Sequence, residues 1–285
     1  DTVAVAKLLE RAACHAIDVS AYADVSVGIA FTEGPLVHEP GAYIEFATEL
    51  KAAVSIPVIA VGRIEAAVAE RHIAAGDFDF VAMGRKLLAD PELPNKLLAG
   101  REDTVRPCIY CYVCVSQIFI NEPMLCAVNP GTGREAELDQ IVATKTSRRI
   151  LVVGGGPGGM EAARVLALRG HQVSLWERDK VLGGTARVAA LAYEPNGRIV
   201  RYLINALADL PVNIELGKSA NVENIKAAGF DTVILATGAR RRAPDIAGKQ
   251  LSHVLDGEEL RDMLFAGNAH GKLTWSQRLL TWLSG

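Results

Sequence analysis

Four of the five cysteines crowd into one short stretch. Cys108, Cys111 and Cys114 follow a C-x2-C-x2-C spacing, and Cys126 comes after eleven further residues. Three thiolates on one tight loop can grip three corners of a cube, and a more distant fourth can take the last. A four-iron, four-sulfur cluster needs four such thiolates. Zinc is the main competitor, although structural zinc loops more often supply ligands in two pairs. Four unrelated buried thiols are the third reading. The clustering is not the spread pattern of a secreted disulfide scaffold, and it points to metal chemistry in a reducing, cytoplasmic compartment. Cys14 sits apart, on a helix just before a strand, and reads as core packing.

A second set of residues is paired. The β-branched run Ile56–Val61 ends in Gly62-Arg63, and Phe78–Met83 ends in Gly84-Arg85. Glycine lets an anion approach backbone N–H groups, and arginine adds a charged fork. In βα-barrels the loops after the last two strands are the usual phosphate site. The bland alternative is two ordinary turns, each with a surface arginine. The repetition in register favours phosphate binding.

The third set is Gly154-Gly155-Gly156-Pro157-Gly158-Gly159. It follows a β-branched strand and opens a helix, the context a dinucleotide-binding turn requires. Helix N–H groups then face a pyrophosphate. Glu177 closes the next strand, where a carboxylate bonds ribose hydroxyls and repels a 2′-phosphate. The alternative is a glycine-rich turn kept only for close helix–strand packing. Gly183-Gly184 and Ala236-Thr237-Gly238 follow at positions of further nucleotide contacts.

The histidines are scattered. His38, in the loop after the first strand, lies on the face of the Gly-Arg ends and is a low-ranking candidate for a catalytic or substrate-facing group. His72 and His171 read as surface or internally bonded residues, and Arg240-Arg241-Arg242 as a solvated basic turn. No Ser/His/Asp order suggests a hydrolase.

The elements that must position these groups fall into three zones. Residues 1–100 read as β-α-β-α-β-α: strands at Ala16–Ser20, Ile56–Val61 and Phe78–Met83, a helix through Tyr43, Phe46, Ala47 and Leu50, one ending near Ala75 before Gly76, and one from Pro91 to Leu98. That order implies a parallel sheet. Three strands cannot close an eight-stranded barrel, which needs about 250 residues. The zone is a small open sheet or a piece of a larger protein. Residues 101–147 hold the cysteines and a polar linker. Residues 148–285 read as a doubly wound nucleotide-binding unit, with strands at Ile150–Val153, Gln172–Trp176, Val212–Leu216 and Thr232–Leu235 and helices at Gly159–Arg169 and Arg198–Leu207.

Composition sets outer bounds. The chain has 285 residues, 50% hydrophobic and 22% charged, which excludes a disordered chain. A formal net charge of −3 leaves no electrostatic footprint for nucleic acid. No apolar run reaches the roughly 18 residues of a membrane span. The start, Asp1 to Arg11, reads as an amphipathic helix without initiator Met, and not as a signal peptide.

Taken in order, the motifs resemble those of the iron–sulfur flavoproteins related to old yellow enzyme, the family of 2,4-dienoyl-CoA reductase, 2-enoate reductases and the trimethylamine and histamine dehydrogenases. The residues that carry the likeness are Gly62-Arg63, Gly84-Arg85-Lys86-Leu87-Leu88-Ala89-Asp90-Pro91, Arg106-Pro107-Cys108-Ile109-Tyr110-Cys111, Cys126-Ala127-Val128-Asn129-Pro130, and the Gly-rich turn. The resemblance covers roughly residues 1–250. It implies an α/β fold: the C-terminal part of a (β/α)8 TIM barrel, an iron–sulfur cysteine segment, then a Rossmann-like domain for FAD or NAD(P). It implies FMN phosphate at Gly62, Arg63, Gly84 and Arg85. It implies a 4Fe-4S cluster on Cys108, Cys111, Cys114 and Cys126. It implies FAD, or a bare ADP, on Gly154, Gly156, Pro157, Gly158, Gly159, Glu177, Arg178 and Gly184.

The activity the resemblance implies is NAD(P)H-dependent reduction of an activated C=C bond in an enoate or enoyl-CoA. Electrons would run from NAD(P)H through FAD and the cluster to FMN. The rival is an amine dehydrogenase that passes electrons to a partner such as an electron-transfer flavoprotein. A nucleotide-binding redox module without substrate chemistry is the third reading. The C-x2-C-x2-C spacing resembles the amine dehydrogenases, yet the acidic amine-site segment of those enzymes is not evident in Val25–Gly41. No membrane and no nucleic acid enter as partners, and a homo-oligomer is compatible with the family. The barrel's earlier strands and the NAD(P)H domain are missing from the pattern. The chain is therefore expected to be a fragment truncated at both ends and inactive alone.

Overall fold

The computed structural model describes residues 2–20, 39–138, 141–239, 244–251, 254–257 and 259–261. His38 and Arg240-Arg241-Arg242 lie outside the described residues, as does most of the segment between Val25 and Gly41. The chain divides into two compact units, residues 1–140 and 141–285, and the cysteine segment belongs to the first.

The first unit begins with α1 (Thr2–Arg11) and β1 (Ile17–Val19), and continues with α2 (Ile44–Ala53), β2 (Val58–Ala60), α3 (Ala66–Ala75) and β3 (Phe80–Val81). The three strands are parallel, in the order β1-β2-β3, with Ile17 opposite Val58 and Ile59 opposite Phe80. β2 is central, and its Val58 and Ala60 are wholly buried. They join Val19, Ala47, Leu50, Ile64, Ala69 and Phe78 in one core. A strand covered on both faces reads as a continuous apolar run, which is why Ile56–Val61 was legible. Gly76 ends α3 in the left-handed conformation, at φ +80.

The strands are shorter than the apolar runs that announce them. Phe78–Met83 yields only Phe80–Val81, although the Asp79 and Ala82 N–H groups on either side still donate to the Val58 and Ala60 carbonyls of β2, at 2.9 and 2.8 Å. The Asp79 carboxylate accepts the Val58 N–H at 2.8 Å and pairs with Lys51 at 2.8 Å. Lys51 first, then the Val58 N–H, holds the Asp79 carboxyl below its ordinary value. The expected helix Pro91–Leu98 is α5 (Leu93–Leu98), and a further short helix that the pattern did not announce, α4 (Gly84–Ala89), precedes it. Asp90 separates them: its buried carboxylate accepts the Glu92 N–H at 3.1 Å and Lys96 Nζ at 2.6 Å. The cysteine segment carries α6 (Val113–Ile120), and the polar stretch after it holds a single turn, α7 (Glu135–Leu138).

The second unit runs β4 (Arg149–Val153), α8 (Pro157–Leu168), β5 (Gln172–Glu177), α9 (Gly184–Ala192), α10 (Pro195–Ala208), β6 (Val212–Leu216), α11 (Val222–Ala228) and β7 (Thr232–Leu235). Its sheet is parallel, in the order β6-β5-β4-β7. That order reverses at β4, so the crevice beyond its carboxyl end is the switch point where such sheets bind ligands. α8 buries Met160, Ala163 and Ala167, and the amphipathic α10 buries Ile199, Val200, Leu203 and Leu207. Among the described residues no helix is long and apolar enough to cross a membrane.

Candidate functional site

The carboxyl ends of β2 and β3 open into one cavity of about 180 Å³. Gly62, Arg63, Ile64, Met83, Gly84, Arg85, Lys86 and Tyr110 are among its lining residues. The charged side chains in that lining are Arg63, Arg85 and Lys86, all cationic. Both Gly-Arg corners therefore converge as the spacing anticipated. Gly62 has φ +115, and a Cβ there would meet the Tyr43 ring at 2.8 Å, so only glycine fits. Gly84 faces open space, with nothing within 4 Å of the position a Cβ would take. Room beside a backbone amide, within a ring of cations, suits a phosphate or another oxyanion.

The four clustered cysteines line a second cavity, together with Arg85, Ile109, Tyr110, Tyr112, Ala127 and Val128. Arg85 and Tyr110 thus wall both cavities. The loop closes around this space because two non-glycine residues adopt left-handed backbone, Tyr110 at φ +50 and Tyr112 at φ +61. Arg63 on the neighbouring corner does the same, at φ +50. Such residues cost roughly 1–3 kcal/mol each and persist where surrounding contacts enforce them. Tyr112 stands at the N-cap position of α6, and Cys114 falls in the first turn of that helix. Burial pushes the Cys108 thiol up to about 11 and raises that of Cys114, with nearby Arg85 pulling both down. Coordinated metal would offset that desolvation. Among the described residues, no group of three or more His, Cys, Asp or Glu side chains is arranged to hold a metal ion. By chemistry alone, four cysteine thiolates around one space are a donor set that a four-iron cluster takes and that structural zinc also takes.

A scaffold that the motifs did not reveal holds these pieces together. The buried Asp90 carboxylate accepts the Arg106 N–H at 2.7 Å, just before Cys108. The Arg106 guanidinium donates to the Val128 carbonyl, two residues past Cys126. Asn129 Nδ2 and Thr132 Oγ1 both donate to the Leu88 carbonyl, at 2.9 and 2.8 Å. Glu65, Lys86, Tyr110 and Tyr112 also went unnoticed as site residues. The only sequence signal was position: the tyrosines alternate with cysteines, and Lys86 follows Gly84-Arg85.

In the second unit the glycines divide by role. A Cβ on Gly159 would lie 1.8 Å from the Gly154 carbonyl oxygen, and one on Gly154 would lie 2.4 Å from that of Ala236. These two serve close backbone packing. Gly156 and Gly158 face open space, and there a pyrophosphate could approach. Gly184, at the start of α9, backs onto Gly156, and Arg178 is exposed at the end of β5. Glu177 is buried with both carboxylate oxygens engaged: the Gly155 N–H donates at 2.5 Å and the Asp179 N–H at 2.8 Å. It braces the glycine turn, a task additional to the ribose contact its position suggested.

Two expected outcomes separate these roles. Gly159→Ala should destabilise the second unit by about 3 kcal/mol, since backbone cannot yield to the new methyl group. Its thermal midpoint should fall by roughly 10 °C. Gly156→Val should leave that midpoint near wild type and lower nucleotide binding, read by titration with FAD and with ADP.

A parallel sheet ending in paired Gly-Arg corners beside a four-thiolate loop, followed by a dinucleotide turn, defines the class of α/β flavin and pyridine-nucleotide redox proteins. Residues 1–104 match the NADH:flavin oxidoreductase / NADH oxidase family, and residues 148–269 match the pyridine nucleotide-disulphide oxidoreductase family. A metal reductase of Desulforamulus reducens is 44% identical over 73% of this chain and 32% of its own length. An NADH oxidase of Thermoanaerobacter brockii is 40% identical over 86% of this chain and 38% of its own. A cinnamate reductase of Clostridium sporogenes is 39% identical, over 75% and 33%. Among solved structures, a 2-naphthoyl-CoA reductase complex superposes with a TM-score of 0.79 at 28% identity, covering 92% of this chain and 40% of that one. Histamine dehydrogenase from Rhizobium sp. 4-9 gives 0.75 at 28% identity, over 87% and 37%. The chain belongs to the flavin oxidoreductase family related to old yellow enzyme, together with the 2,4-dienoyl-CoA reductases and trimethylamine dehydrogenases. It spans about a third to two-fifths of the length of these relatives.

Proposed function

We infer that this chain is the electron-relay portion of an NAD(P)H-dependent flavin oxidoreductase that reduces activated C=C bonds of enoates or enoyl-CoA esters. The observation that carries this reading is the shared wall: Arg85 and Tyr110 line both the cationic corner and the four-cysteine cavity. Two redox groups held on either side of one arginine would lie close enough to exchange electrons. When bound, FAD, a 4Fe-4S cluster and FMN would supply hydride acceptance, single-electron transfer and hydride delivery.

The protein's own contribution is binding and placement. Gly62, Arg63, Gly84 and Arg85 take the FMN phosphate at the C-terminal end of a βα-barrel segment. Cys108, Cys111, Cys114 and Cys126 hold the cluster. The open Gly156 and Gly158, with Pro157 and Gly184, receive the pyrophosphate of FAD, and Glu177 and Arg178 flank its ribose. Cinnamate and 2-naphthoyl-CoA reductases among the relatives support an unsaturated acid derivative as electron acceptor. The C-x2-C-x2-C spacing and the likeness to histamine dehydrogenase favour a second reading, amine oxidation with electrons passed to a partner flavoprotein.

The discriminating experiment uses the full-length protein under anaerobic conditions. NADH or NADPH should bleach the flavin, and cinnamate or an enoyl-CoA should restore its colour within one turnover. Bleaching by an amine alone, with no reoxidation by any enoate, would establish the second reading in place of the first.

A further inference from the structure

Tyr110 stands where the cationic corner and the cysteine loop meet. Its backbone N–H donates to Cys108 Sγ at 3.4 Å. Its ring lies under three cations: Arg63 at 5.7 Å, Arg85 at 5.5 Å and Lys86 at 5.6 Å from the centroid. Its hydroxyl donates to Glu65 Oε1 at 3.1 Å. The other oxygen of the same carboxylate takes the Lys86 ammonium in an ion pair. Glu65 caps α3 two residues after Arg63, and Lys86 directly follows Arg85. Each Gly-Arg corner and the cysteine loop therefore contributes one group to a single network, in which Tyr110 and Lys86 are buried.

We propose that Glu65, Lys86 and Tyr110 form a clamp that couples occupancy of the phosphate corner to retention of the metal cluster. The clamp rests on the FMN and cluster reading given above. An anion in the corner pins Arg63 and Arg85 over the Tyr110 ring, where cation–π attraction is strongest once water is displaced. The hydroxyl's bond to Glu65, itself held by Lys86, keeps the ring under those cations, and a ring fixed from both sides holds Tyr110 in its left-handed conformation, which sets the spacing between Cys108 and Cys111. Coupling of this kind is reciprocal: what FMN does for the cluster, the cluster does for FMN. The three residues are positioning residues, since they act through the arginines and the cysteines.

The test uses the full-length protein, with FMN stripped and restored, and follows iron loss to a chelator by the fading of cluster absorbance. Inorganic phosphate serves as a second probe of the corner alone. In wild type, FMN should slow iron loss by about tenfold, within the usual range of coupling between sites. In Tyr110→Phe, which keeps the ring and loses the bond to Glu65, the ratio should fall below about twofold, and Glu65→Gln, which gives up the ion pair with Lys86, should lower it likewise. A merely structural defect would speed iron loss equally with and without FMN and leave the ratio intact. If Tyr110→Phe assembles no cluster, the ratio is read on Glu65→Gln. A wild type that binds neither FMN nor iron overturns the reading of the site, and the clamp with it. A wild type that binds both, with a ratio unchanged in the variants or near one throughout, overturns the clamp alone.

Discussion

Cys114→Ala in the full-length protein should yield a chain with little or no iron and intact nucleotide binding. Cys114 is the one cluster cysteine on a helix, in the first turn after the left-handed N-cap residue Tyr112, and it is buried. No neighbouring side chain among the described residues of that cavity can replace it, since the remaining lining is arginine, tyrosine and aliphatic carbon. A cube with three thiolates and one open corner sheds iron readily, so iron should fall from about four per chain to near zero after aerobic handling. The second unit has its own core around Leu151, Val153 and Trp176, so FAD or ADP binding should survive. Iron analysis with a nucleotide titration on the same sample checks both halves. A Cys114→Ala protein with full iron would mean that the cysteines do not act together.

The second large effect is expected at Arg85. Arg85→Ala removes a guanidinium that walls both cavities and lies 4.7 Å over the Tyr112 ring. Two charge-assisted hydrogen bonds to a phosphate, at about 1.5 kcal/mol each, correspond to roughly a 100-fold rise in the dissociation constant of FMN. Arg85→Lys should recover only part of this, because an ammonium keeps the charge and loses the planar fork. Flavin released on gel filtration, compared with wild type, measures it directly. Retention equal to wild type in Arg85→Ala would reduce the paired Gly-Arg ends to turn chemistry.

Much of the positioning framework was legible because it is local. The run Ile56–Val61 is β-branched and continuous, as a strand covered on both faces must be, and it became the central β2. The glycine turn, the helix after it and Glu177 span some two dozen residues, and they appear in that order at the switch point of the second sheet. Local signals failed where a residue serves two elements. Asp79 looked like an ordinary strand residue, yet its carboxylate ties the start of β3 to the Val58 N–H of β2 and to Lys51 of α2. Asp90 looked like an ordinary residue before Pro91, yet it divides α4 from α5 and anchors the start of the cysteine loop. Gly183-Gly184 suggested nucleotide contacts and concealed the helix α9 that begins there.

The site shows the same division. Glycines all look alike in sequence, but only a folded backbone tells Gly159, where a Cβ would lie 1.8 Å from a carbonyl oxygen, from Gly156, which faces open space. The tyrosines could not be ranked from sequence, because their importance lies in positive φ angles and in cations brought from two separate loops.

What the cysteine loop holds beside the cationic corner decides the function most directly. Full-length protein purified without oxygen should carry about four irons and one FMN for each copy of this segment, by metal and flavin analysis of a single preparation. Zinc in place of iron, or iron without FMN, would contradict the proposed function.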